Sequence, residues 1–188
     1  MTKNEALELL DDTDLDIQKV RDIFDNFGED LEVVGMVAMN TSRRTSVYDS
    51  EKSKSETLIS LLCDLSKSED MGSRWAVAKN HLTPLDVLEH LANDSINLVR
   101  ALVATNPKTP PHILNTLFSD EKIVRDGLSG NPNTPAKILK VLSSDRDKMV
   151  RLRVAENKSA PKDLLASMVD DEDKDVAKAA EIKLKEAL

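Results

Sequence analysis

The chain has 188 residues, a net charge of −8 and 3% aromatic residues, with one Trp, one Tyr and one Cys. Few aromatics imply an aliphatic core and speak against stacking platforms for single-stranded nucleic acid. A single cysteine, Cys63, excludes an intrachain disulfide framework and a thiolate cluster for zinc or iron–sulfur.

The charge is placed unevenly. The first 34 residues hold eleven acids against three bases, which accounts for the whole imbalance, and residues 35–188 are neutral. That distribution argues against non-specific DNA binding, which needs a basic face. No basic segment followed by an apolar run opens the chain. No apolar stretch nears the roughly 20 residues of a membrane span. The expectation is a soluble, cytoplasmic protein with no membrane partner.

In chain order, residues 1–40 read as an acidic helical cap. Ile17, Val20, Ile23, Phe24 and Phe27 share a helical spacing, with Asp11, Asp12, Asp14 and Asp16 at its start, where negative charge suits the helix dipole. Val37-Ala38-Met39-Asn40 resembles the later Val77-Ala78-Lys79-Asn80 and reads as the end of a repeat. The two asparagines are 40 residues apart, about 14 more than one period. The surplus is a polar, serine-rich and locally basic insertion at 41–54, so residues 41–80 form a degenerate repeat. Thr57 to Leu65 resumes its first helix.

Residues 81–188 read as four repeats and a C-terminal capping helix. The prolines of Asn80-His81-Leu82-Thr83-Pro84, Asn106-Pro107-Lys108-Thr109-Pro110, Asn131-Pro132-Asn133-Thr134-Pro135 and Asn157-Lys158-Ser159-Ala160-Pro161 are spaced 26, 25 and 26 residues apart. Ten residues after each comes an aspartate: Asp94, Asp120, Asp145 and Asp171. Val99-Arg100, Val124-Arg125 and Val150-Arg151 follow, with Val176-Ala177 in the last copy. Periods of this size indicate a solenoid.

Within a repeat, Thr before Pro reads as an N-cap with Pro in the first turn. In the fourth copy, Ala160 replaces Thr and Ser159 is the alternative cap. A first helix carries Ile113, Leu114 and Leu117, matched by Val87, Leu88, Leu91; Ile138, Leu139, Leu142; and Leu164, Leu165, Met168. Asp120 reads as the N-cap of a second helix, whose inward residues are Val124 and Leu128. Asn131 reads as its left-handed terminator, with Pro132 preventing continuation. Gly127 and Gly130 suggest a locally weak second helix in that repeat. From Val176 a longer helix closes the array.

The pattern Val-Ala-x-Asn-Pro-x-Thr-Pro-x-x-(Ile/Leu)-Leu-x-x-Leu-x-x-Asp-x-x-x-x-Val-Arg over about residues 70–180 resembles the leucine-rich repeat variant family. The resemblance implies an all-α, right-handed, HEAT-like α-solenoid of short paired helices, acting as an interaction scaffold and not as an enzyme. The family's best-known arrangement has a cysteine-rich iron–sulfur segment before the repeats. Those cysteines are missing here, so no cofactor is expected.

Two groups of residues are candidates for recognition. Arg74, Arg100, Arg125 and Arg151 occupy equivalent positions, which stacking would align about 10 Å apart. They form either a phosphate-reading stripe or a structural ladder with the periodic aspartates, whose matching register favours the ladder. Trp75 sits at a variable repeat position. It is either an interface anchor or packs under the insertion against Tyr48. Arg43, Arg44 and Tyr48 make the insertion itself a candidate binding element.

His81, His90 and His112 lack metal-ligand spacing, and no catalytic constellation stands out. The expectation is a non-enzymatic protein-binding scaffold that uses the solenoid surface and the 41–56 insertion. The alternatives are a nucleic-acid-associated HEAT-like protein and an acidic, nucleic-acid-mimicking inhibitor.

Overall fold

The computed structural model describes residues 1–45 and 55–186, and those residues form thirteen α-helices and no strand. They fall into two compact units, Met1–Val99 and Arg100–Leu188.

The first unit opens with α1 (Lys3–Leu10), which the sequence reading missed. Thr2 and Glu5 form a reciprocal capping box at its start, and Ala6 and Leu10 are fully buried. Next come α2 (Ile17–Phe27), α3 (Leu31–Arg44), α4 (Glu56–Leu65), α5 (Met71–Lys79) and α6 (Leu85–Leu91). Asp16, Asp30, Ser55 and Asp70 cap α2 to α5 with side-chain oxygens. The first helices α2 and α4 pack together, as do the second helices α3 and α5. The two units divide within α7 (Asn97–Thr105).

The second unit continues with α8 (Pro111–Thr116), α9 (Lys122–Gly130), α10 (Ala136–Leu142), α11 (Lys148–Glu156), α12 (Lys162–Met168) and α13 (Lys174–Glu186). The helix α11 packs between α9 and α13, with α10 and α12 lying against this row. All of the expected first-helix stripe residues are buried, from Val87 to Met168, as are Val124, Leu128, Val150, Val154, Val176 and Ala180. Six- to nine-residue helices are too short to persist alone in water, so burial against neighbours is what holds them.

The turn chemistry differs from the sequence reading in four respects. First, the threonines are not N-caps. Pro84, Pro110 and Pro135 occupy the cap positions, and no side chain caps the helix. Each threonine is buried, and its hydroxyl donates backward to the carbonyl six residues earlier: Thr83 to Val77 at 2.6 Å, Thr109 to Val103 at 2.6 Å and Thr134 to Leu128 at 2.7 Å. The threonine therefore satisfies the carbonyl end of the preceding helix. Ser159 likewise donates to the Pro132 carbonyl at 2.6 Å instead of capping.

Second, the asparagines are not left-handed. Asn80, Asn131 and Asn157 have φ of −73°, −75° and −65° in extended backbone. They are buried, and their amides form a ladder. Asn131 Nδ2 donates to the carbonyls of Ala104 at 2.7 Å and Asn106 at 2.9 Å. Asn157 Nδ2 repeats this on Ser129 and Asn131, and Asn40 Nδ2 does the same on Leu10 and Asp12. In Asn80, Asn106, Asn131 and Asn157 the side-chain oxygen accepts from the backbone N–H two residues on. A neutral amide is the side chain that gives two donors and an acceptor at one buried point.

Third, Asp120 does not cap α9. The cap position is Glu121, and Asp120 shapes the turn before it by accepting from the Glu121 N–H. Fourth, Gly127 is not a weak point. A Cβ there would meet the Ala101 carbonyl oxygen at 2.9 Å and Ala104 Cβ at 3.0 Å. The glycine is what allows α9 to approach α7 this closely.

Candidate functional site

Four buried or half-buried arginines each grip an aspartate twenty residues further on. In the first unit, Arg74 Nε donates to Asp94 Oδ2 at 2.6 Å and Nη2 to Oδ1 at 3.2 Å. In the second unit, Arg100 holds Asp120 at 2.5 and 2.7 Å, Arg125 holds Asp145 at 2.7 and 3.4 Å, and Arg151 holds Asp171 at 2.8 and 3.0 Å. These are forked, charge-assisted pairs.

The third guanidinium nitrogen reaches back to the preceding turn. Arg74 Nη1 donates to the Ser68 and Glu69 carbonyls, Arg125 Nη1 to Asp120 and Arg151 Nη1 to Asp145. One arginine thus joins two successive inter-helix turns. The carboxylates also accept from backbone, as Asp94 does from Ile96, Asp145 from Asp147 and Asp171 from Asp173.

The electrostatics follow from these bonds. The Arg100 hydrogen bonds hold the Asp120 carboxyl below the usual range, and those of Arg151 do the same for Asp171. Burial pushes the Asp94 and Asp145 carboxyls up, but the Arg74 and Arg125 bonds, the backbone N–H groups and the cationic charge outweigh it, so both also lie below the usual range. A second, more exposed series links Lys122 to Asp147 at 3.5 Å and Lys148 to Asp173 at 3.0 Å.

The remaining candidate residues separate. Arg43 and Arg44 do not lie in a loop, because α3 runs through Arg44 and the 41–54 insertion loses its first four residues to that helix. Arg44 is half-buried, with Nε on Asn40 Oδ1 at 2.6 Å and Nη2 on the Leu15 carbonyl. It serves the fold. Tyr48 and residues 46–54 lie outside the described residues, and so does any packing of Trp75 on Tyr48. Arg43 is exposed and pairs with Asp11 at 3.1 Å.

Arg43 and Trp75 line one open groove of about 630 Å3 between α3 and α5. Its floor is made of small residues, Gly35, Ala38, Gly72 and Ala76, and its walls of Leu31, Met36, Met39 and Trp75. Trp75 is 38% exposed, Met39 48% and Leu31 52%, so solvent covers large apolar side chains here. The Lys79 ammonium lies 5.3 Å from the centre of the Trp75 ring. Glu32 and Asp70 stand at the other end.

The sequence reading named Trp75 but not the surface around it. Aligning Asn40 with Asn80 puts Gly35 at the position of Trp75 and Asp30 at that of Asp70. That alignment carried the signal: the indole stands opposite a helix with no side chain at the matching place.

These described residues define an all-helical repeat protein. No family model matches the chain, and no curated protein matches it. Among solved structures it is similar to one titled "A leucine-rich repeat variant with a novel repetitive protein structural motif". Their sequences are 22% identical, the match covers 96% of this chain and 81% of that one, and the TM-score is 0.47. Among the described residues, no helix is long and apolar enough to cross a membrane.

Proposed function

We propose that the chain is a non-enzymatic repeat scaffold that binds another protein, and that the α3–α5 groove is its working surface. The observation that carries this reading is the gathering of Leu31, Met39 and Trp75, all exposed, around a floor of small residues. Exposed apolar surface rimmed by charge is characteristic of interaction sites, and Trp is enriched among residues that dominate binding energy.

The acidic groups nearby already have partners within the chain. Asp70 accepts from the Ser73 N–H and hydroxyl, and Glu32 is bridged to Lys3 at 2.7 Å. The periodic arginines favour the same reading over a phosphate stripe, because their forked edges are turned to aspartate.

The test is quantitative affinity capture from the native host with three forms: the intact chain, a Gly35→Leu form, and a form with residues 46–54 replaced by a short turn. The reading expects one protein to be retained by the intact chain and lost from the Gly35→Leu form. A partner lost only from the third form would move the working surface to the insertion. Retention of nuclease-sensitive material by all three would replace protein binding with nucleic-acid binding.

A further inference from the structure

The groove has a direction. Asn80 Nδ2 donates to Thr45 Oγ1 at 2.6 Å, which sets the C-terminal end of α5 beside that of α3. A Cβ on Gly35, near the start of α3, would lie 3.9 Å from Asp70 Oδ2 at the start of α5. The two helices therefore run parallel. Glu32 and Asp70 mark their N-terminal ends, with Arg43 and Lys79 at their C-terminal ends. Between Glu32 and Arg43 lie eleven helical steps, about 16 Å, walled by Leu31, Met36, Met39 and Trp75.

We propose that this groove takes an amphipathic helix of a partner protein, about three turns long, lying antiparallel to α3 and α5. The proposal rests on the protein-binding reading above and names the partner's chemistry. Two arguments give that orientation, and a third concerns the apolar face. The positive N-terminus of an antiparallel helix meets the negative C-terminal ends of α3 and α5. The usual charge bias of a helix, acidic in the first turn and basic in the last, then places its acids on Arg43 and Lys79 and its bases on Glu32 and Asp70. Its apolar stripe meets methionine and indole, and methionine adapts to irregular apolar shapes.

Of the end charges, Arg43 and Glu32 have exposed partners, while Asp70 keeps its bonds to the buried Ser73. The Arg43–Asp11 pair and the Lys3–Glu32 pair are surface bridges that solvent already competes for, so a partner's charges can replace them. The anchors of such a helix follow the i, i+3, i+4, i+7 pattern of helix-in-groove recognition.

Trp75 is the only tryptophan in the chain, so its emission reports on this groove alone. The probe is a synthetic, Trp-free peptide of about 14 residues with Glu in its first turn, Leu at the anchor positions and Lys in its last turn. A second peptide has the same composition with Glu and Lys exchanged. The forward peptide is expected to shift Trp75 emission to the blue, saturably, and to bind about ten-fold more tightly than the reversed one at low salt.

Gly35→Leu fills the floor where the added Cβ meets only an ordinary contact, and it should abolish the shift with the helical signal kept. Met39→Lys, at an exposed wall position, is an independent second block. Arg43→Glu should narrow or reverse the preference between the two peptides.

Equal binding of the two peptides, tighter binding of the reversed one, or no saturable shift with either overturns the proposal. A blue shift that grows with protein concentration in the absence of peptide, with a dimer in sedimentation, assigns the groove to a second copy and also overturns it. A native partner captured undiminished by the Gly35→Leu form keeps the scaffold reading and removes the groove from it.

Discussion

Asn131 offers the sharpest test of how the repeats are held together. Its side chain makes three bonds at one buried point: two donated, to the Ala104 and Asn106 carbonyls, and one accepted from the Asn133 N–H at 2.8 Å. The Asn106 carbonyl keeps a second donor, the Thr109 N–H at 3.0 Å, so the main loss on truncation falls on Ala104. An intramolecular hydrogen bond contributes about 1 kcal/mol net, and a buried group left without a partner costs about 1–3 kcal/mol. Asn131→Ala is therefore expected to cost about 2–4 kcal/mol. For a chain of this length that corresponds to a fall of about 4–16 °C in Tm.

Asn131→Asp is the more demanding variant. It keeps the acceptor but sets a carboxylate against two carbonyl oxygens, so its folded-state pKa must rise above the unfolded value of about 3.9. The folded state then binds more protons than the unfolded state in that interval, and stability falls as pH rises. Urea unfolding followed by helical circular dichroism should find Asn131→Asp at least as unstable as Asn131→Ala at pH 7, and partly recovered at pH 5. A loss below about 0.5 kcal/mol for the alanine variant, or no recovery of the aspartate variant on acidification, would refute the amide ladder as a source of stability.

The aspartates of the arginine ladder predict the opposite pH response in the unmodified chain. Their folded pKa values are depressed, so their contribution is complete above about pH 4 and is lost as pH falls through the folded values, visible as acid unfolding that begins below that point. Arg125→Ala should cost about 2 kcal/mol because it leaves the half-buried Asp145 carboxylate without its forked partner, the Asp147 N–H bond remaining. The double variant with Asp145→Ala should recover part of that loss in the same unfolding assay. Thr134→Ala should cost about 1 kcal/mol through the lost bond to the Leu128 carbonyl; Thr134→Ser should restore it in the same assay, and Thr134→Asp, a good N-cap residue with no proton to donate, should not. Gly127→Ala should destabilise by about 1–3 kcal/mol despite the better helix propensity of alanine; a stabilised variant in thermal unfolding would show that α9 and α7 do not meet closely there.

The repeat period, the buried stripes and the partition into first and second helices were legible because a solenoid writes one burial pattern four times. Ile113, Ile138 and Leu164 cannot all be apolar at one register by accident of local propensity. The turns were misread because Thr, Asn and Asp have strong local roles as caps and terminators, and those roles are indistinguishable in sequence from long-range ones. Thr134 does satisfy a helix end, but the C-terminal end of α9 and not the start of α10. Asn131 does follow a helix, but its amide is committed to carbonyls 25 and 27 residues back. The α1 helix escaped notice because eight residues with two buried positions carry almost no periodic signal. The groove escaped because it arises from what α3 lacks, a side chain at Gly35.

The groove lies at the junction where the ladder is interrupted. Alignment through the asparagines puts Val34 at the place of Arg74, and one period before Asp94 stands Ser68. At this junction a buried valine, 2% exposed, and a serine replace the arginine and the aspartate. Val34 and Ser68 instead border a cavity of about 400 Å3 together with Phe24, Leu31 and Asp64. Each forked pair elsewhere fixes the register of two turns, since a buried ion pair is satisfied only in one geometry. Where the pair is absent, that constraint is absent too. The same stretch of α3 carries Leu31, Gly35, Met36 and Met39 in place of the ladder chemistry. Repeat positions with a fixed polar partner are thus committed to stacking, whereas the α3–α5 junction, where that pair is absent, is left with the exposed apolar side chains of Leu31, Met39 and Trp75.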